Sequence, residues 1–211
     1  MGFHLTRRRI GKLAVFAALA NLALVIEPQK GMAEPANFTI DPEHFVVAFL
    51  VEHIGYEKVL GMFREASGSF TYDEKTRAIS NVRITVKTAS VFTNHKERDE
   101  HLRSPDFLNS REFPEMTFVG RSAEATGEKI GKLTGELSLI GRTRPLTLEI
   151  TLNKLAEYPF AAGVFSRPNY VAGVSARGGF KRGEFGMTYA LDNGWVGDDV
   201  QLIIEFEAIR K

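Results

Sequence analysis

From Phe38 onward, hydrophobic and polar residues alternate along most of the chain, the period of half-buried β-strands. In 80–90, "SNVRITVKTAS", Val82, Ile84 and Val86 fall on one face, and Asn81, Arg83, Thr85 and Lys87 on the other. In "PLTLEITLNK", Leu146, Leu148, Ile150 and Leu152 share a face, and in "VQLIIEFEA" Val200, Leu202, Ile204 and Phe206 do. "KLTGELSLI" puts Leu133, Leu137 and Leu139 together, with Gly135 between them. "FVVAFLVEH" is apolar on both parities, so both its faces are expected to be covered. "TYDEKTRA", "ATGEKIG" and "IGRTRPL" read as hairpin connections. Short strands joined by such turns predict an all-β fold, an antiparallel barrel or sandwich.

Two segments interrupt this pattern as helical candidates. "GYEKVLGMF" reads as a short turn between the first two strands. The stretch Asn94 to Asn109 is charged and holds a serine–proline step that breaks or starts a helical turn. Residues 156–172, with two prolines and poor periodicity, read as a longer loop. No repeat, low-complexity tract or linker divides the chain.

The first 33 residues are of another kind. A basic start leads into an apolar run from Leu13 to Ile26, and "GMA" (31–33) offers small residues at a cleavage position. A signal peptide over 1–33 is expected, with the folded domain over 34–211 and export to the periplasm. A retained N-terminal anchor is the alternative. Thr6-Arg7-Arg8-Arg9-Ile10-Gly11-Lys12 resembles a twin-arginine signal, and an ordinary basic leader for the Sec route is equally compatible. This segment holds five of the 27 basic residues and one of the 26 acidic ones, leaving the rest at about −3. Nucleic acid is therefore not an expected partner.

Composition removes several chemistries. With no cysteine in the chain, disulfides, thiolate catalysis and thiolate-bound metals are excluded. His95 and His101 are six apart, about 120° around a helix, so one metal cannot easily take both. "GVSAR" lacks the second glycine of a nucleophile elbow, and Asp99–Glu100 and Asp198–Asp199 are adjacent and point apart. "ARGGFKRGEFG" reads as a turn, not a phosphate cradle. Neither catalytic residues nor a metal site nor a cofactor is expected. What remains is the apolar face. If Val47, Phe49, Val51 and His53 point inward with Val82, Ile84, Val86, Leu137 and Ile150, a closed barrel has a greasy interior. Periodicity alone leaves open whether that interior is filled or hollow.

Five blocks bear on this: "DPEHFVVAFLVEHIGY", "GMFREASGSFTYD", "RDEHLRSPDFLNSREFPEMTF", "GELSLIGRTRPLTLEI" and "GEFGM" with "GWVGDDVQLIIEFEA". In this order, over Phe38 to Ala208, they resemble the YceI family. The resemblance implies a lipocalin-like antiparallel β-barrel of about eight strands with an elongated apolar cavity. It implies binding, storage or transport of a polyisoprenoid, quinone-like or fatty-acid-type lipid. Phe63, Phe118, Leu139, Leu148, Phe180 and Phe185 are then expected to join the lining. Asn94 to Phe113 becomes a helical cap, with Leu102, Phe107, Leu108 and Phe113 facing down and Arg98, Asp99, His101 and Arg103 either pinning it or facing water. The chain departs from the family pattern at Phe45, usually small and polar, and at Ile140, often histidine; both changes are expected to make the interior more apolar. An enzyme acting on an apolar substrate with His53 or His101, and a stress-related interaction module with a full barrel, are the competing readings. A homodimer through an exposed strand or the 156–172 loop is compatible with the sequence.

Overall fold

A computed structural model describes residues 1–2, 34–161, 163 and 166–211. The leader expected over 1–33 lies outside these, save Met1 and Gly2. All elements below belong to the unit Ala33–Lys211.

The strands are β1 (Ala36–His53), β2 (Glu57–Phe63), β3 (Ala66–Tyr72), β4 (Ile79–Lys87), β5 (Val91–Phe92), β6 (Glu115–Ala125), β7 (Ile130–Leu139), β8 (Arg142–Glu157), β9 (Tyr170–Lys181) and β10 (Val196–Arg210). One helix, α1 (Lys96–Arg103), lies between β5 and β6. Every pairing is antiparallel. β2 and β3 pair with successive halves of β1, and β4 and β5 with β3 and β2, so each pair acts as one bent strand. The ten segments thus make eight staves, and β10 pairs with β1 to close the ring. Closure leaves no long open edge. The expected fold class, an eight-stranded antiparallel barrel with a short helix, is the observed one.

"GYEKVLGMF" is not helical: most of it forms β2. Ile54 and Gly55, both at positive φ, turn the chain so that Val59, Gly61 and Phe63 face inward opposite β1. An apolar residue at every second position suits this strand better than a helical stripe. The 156–172 loop is shorter than expected, because β8 continues to Glu157 and β9 starts at Tyr170. The outer face of "FVVAFLVEH" is only partly covered: Ala48 is buried there and Leu50 half-buried, while Val46 is exposed.

The barrel has two unlike ends. The β1–β2 turn, α1, the β7–β8 turn and the β9–β10 loop gather at one. At the other, Phe38, Ile40, Ala172, Val174 and Ala208 make a separate buried cluster. Phe38 stacks flat on Phe70 at 5.3 Å, and Phe70 and Phe45 both meet Phe206 edge-on. This cluster plugs the far end.

Candidate lipid-binding cavity

A hollow remains between plug and cap, with a volume of about 570 Å³. Its walls are the inward rows of the staves. Phe45, Val47, Phe49, Val51 and His53 of β1 face Val200, Leu202, Ile204 and Phe206 of β10, and Leu146, Leu148 and Ile150 of β8 continue the wall. Two glycines make room for inward rings. A Cβ on Gly135 would stand 2.5 Å from the ring of Phe118, and one on Gly61 would stand 2.2 Å from the ring of Phe49.

Of the residues expected to line the hollow, Val47, Phe49, Val51, His53, Phe63, Val82, Ile84, Val86, Leu102, Phe107, Phe118, Leu137, Leu139, Leu148, Ile150 and Phe180 do. Two do not. Phe185 sits in a short 3-10 turn after β9, almost fully buried in the core cluster, with its ring edge-on to Phe180, and it is not part of the lining. Phe113 is half-buried against the β7–β8 turn: a Cβ on Gly141 would be 3.0 Å from its ring. Neither residue lies in a strand, and period-two reasoning has no hold outside strands. Ile140 is also outside the lining, since it occupies that same turn at φ 48° and packs on the core. Only Phe45 of the two departures makes the interior more apolar.

The cap is built by local hydrogen bonds. His95 caps α1, its Nδ1 accepting from the backbone N–H of Arg98 at 3.3 Å. The buried Asp99 accepts from the backbone N–H of Thr93 at 2.8 Å and from its hydroxyl at 2.6 Å. Arg98 donates to Thr93 twice, at 2.7 and 2.8 Å, and Arg103 donates to the Val91 carbonyl. One threonine thus receives both charged side chains and fixes the helix to the barrel rim. The His101 ring lies against Phe107 at 5.0 Å and Tyr189 at 4.8 Å, and its Nε2 is 2.9 Å from Asp106. His53 and His101 both reach the hollow, at its mouth.

Sequence reasoning missed the β9–β10 loop. Arg182, only 2 % exposed, donates to the carbonyls of Gly197, Met187, Tyr189 and Val196. Its guanidinium also lies over the Phe107 ring at 5.6 Å, which ties loop to cap. Burial draws this group below the usual arginine value, with Asp198 pulling the other way. Met187, Tyr189 and Trp195 from the same loop line the hollow. The segment has no periodicity, so only its glycines were legible.

The lining is polarised. Its charged and histidine members, Glu52, His53, Glu97, Arg98, His101 and Arg182, all stand at the capped end, while the deep end is aliphatic and phenylalanine. Among the described residues, no three histidine or carboxylate side chains are placed to hold a metal ion. No helix among them is long and apolar enough to cross a membrane.

A family comparison decides where this barrel belongs. Residues 38–208 match the YceI-like domain. The chain belongs to the YceI family. Protein YceI of Escherichia coli O157:H7 is 38% identical over 183 residues, covering 86% of this chain and 91% of that protein. Among solved structures, the Campylobacter jejuni YCEI protein aligns with a TM-score of 0.64 at 28% identity, over 76% of this chain and 90% of that one. A polyisoprenoid-binding domain from Saccharophagus degradans, implicated in plant cell wall breakdown, aligns with a TM-score of 0.58 over 84% of this chain and all of that one. At 11% identity, that last likeness shows a shared fold alone.

Proposed function

We propose that this YceI protein binds and carries one long apolar lipid chain, of polyisoprenoid or fatty type, in the periplasm without converting it. The observation that carries this reading is the hollow itself. Close-packed interiors leave few voids larger than a water molecule. About 570 Å³ of apolar space inside a closed barrel is far outside that norm and within the range of small-molecule sites. A methylene takes about as much room as water's roughly 30 Å³ share of liquid volume, so the space suits a chain of roughly 20 carbons. Each buried CH₂ contributes about 0.8 kcal/mol, less the cost of ordering the chain. The polarised lining orients the guest, tail toward Phe45, Phe70 and Phe206 and head toward His53 and Arg98. The His101–Asp106 pair then serves the cap, which accounts for this histidine without a reaction. The polyisoprenoid-binding domain of like fold is consistent with the choice of guest.

Titration with a polarity-sensitive fluorescent long-chain fatty acid tests it. Saturable binding at one site per chain is expected, with displacement by a long prenyl alcohol and none by a five-carbon one. Phe107→Asp, which puts a carboxylate under the cap, should weaken the probe at least tenfold. A folded variant that binds as well as the parent, or no saturable binding by the parent, would refute the reading.

A further inference from the structure

Large hydrophobic side chains gather outside the mouth as well as inside it. Ile54, Tyr189 and Trp195 line the entrance, yet they are 45%, 44% and 56% exposed, and Tyr56 beside Ile54 is 89% exposed. They come from two separate segments, the β1–β2 turn and the β9–β10 loop. The backbone N–H of Ile54 donates to the Trp195 carbonyl at 2.9 Å, which holds those segments together. Along these two segments the apolar wall continues from the cavity onto the outer surface, beside the charged residues of the capped end.

Folding does not account for Ile54. It sits at φ 53° in the three-residue turn between His53 and Glu57, a conformation that favours asparagine or glycine over a β-branched residue. Ile140 adopts the same conformation but packs its side chain on the core. Ile54 combines this disfavoured backbone conformation with a side chain left 45% exposed at the entrance.

We infer that this rim docks on the surface of a lipid bilayer, so that the mouth opens against the membrane. The inference rests on the carrier reading above. A long hydrocarbon guest is nearly insoluble in water, and an entrance sealed against lipid lets the chain pass without crossing water. Tryptophan and tyrosine suit the boundary because each has an apolar body and a polar tip. The exposed charges on the segments around the entrance, Glu52, Glu57, Lys58, Lys96 and Glu97, carry no basic excess, so nothing there selects anionic over zwitterionic lipid. A second copy of the chain seated here would instead block the route to the cavity.

Trp195 is the only tryptophan in the chain, so its fluorescence reports on this rim alone. Lipid-stripped protein is mixed with phosphatidylcholine vesicles, plain or brominated in the acyl chains, and floated on a density gradient. The expected result is that protein floats with the vesicles, Trp195 emission shifts to the blue, and brominated lipid removes most of it. Tyr56→Ser, outside the cavity lining, should weaken vesicle association about tenfold while leaving the soluble fluorescent fatty acid bound as before. Protein that stays in the aqueous fraction with unchanged emission, while still binding that probe, would overturn docking and leave the carrier reading standing. A vesicle-free dimer that shields Trp195 from iodide would overturn docking in favour of a second copy. Failure to bind the soluble probe would instead refute the carrier reading, and docking with it.

Discussion

At the scale of single residues, the interior is shaped by what is missing as much as by what is present. Gly135 and Gly61 both give ground to a phenylalanine ring, but their surroundings differ. A Cβ on Gly135 meets the Val119 carbonyl oxygen at 2.4 Å as well as the Phe118 ring, and backbone cannot step aside. A Cβ on Gly61 meets first the far edge of the Phe49 ring, a side chain that can swing toward the cavity. Gly135→Ala should therefore destabilise the fold by about 1–3 kcal/mol, read as a lower urea midpoint. Gly61→Ala should cost less stability and instead shrink the cavity, read as weaker binding of the longest guests. Equal effects of the two on stability would contradict this account. The sequence showed Gly135 interrupting an apolar row, but nothing in it said which ring fills the gap. Inward positions were legible wherever strands alternate, as at Val82, Ile84 and Val86. Phe113 and Phe185 were misplaced because turns carry no such period, and Arg182 was invisible because its four partners are backbone carbonyls.

At the scale of elements, three hairpin connections were legible in their turn residues, but strand breaks were not. β2 and β3 form one stave only because β1 pairs with both, a relation between segments that no local pattern contains. The cap was legible as an interruption of strand character, and its anchorage on Thr93 was not. Three strands set the depth of the cavity: Phe45 of β1, Phe70 of β3 and Phe206 of β10 form its floor, backed by the stacked ring of Phe38. Removing a floor ring should lengthen the space. Phe45→Ala should shift the best-bound member of a fatty-acid series to longer chains by roughly four carbons, taking roughly 30 Å³ for each carbon, with short-chain binding reduced. An unchanged length preference in a folded variant would show that the floor lies elsewhere.

At the scale of the whole molecule, closing the sheet on itself removes open edges and also creates an inside. Eight staves are about the size at which an interior is either filled by side chains or left to hold one small ligand. Here the inward side chains are numerous yet stop short of meeting, between a plugged end and a capped one. Periodicity could give the ring and its greasy lining; whether the centre is solid depends on side-chain reach across the barrel, which has no signature along the chain. The reading of this YceI protein as a carrier rests on that central space being occupied in its natural setting. Native mass spectrometry of the protein purified from its own host tests this most directly. The expected species is a complex heavier than the polypeptide by the mass of one intact long-chain lipid, released unchanged on unfolding. Bare polypeptide under every growth condition, or a released product chemically altered from the lipid supplied, would contradict it.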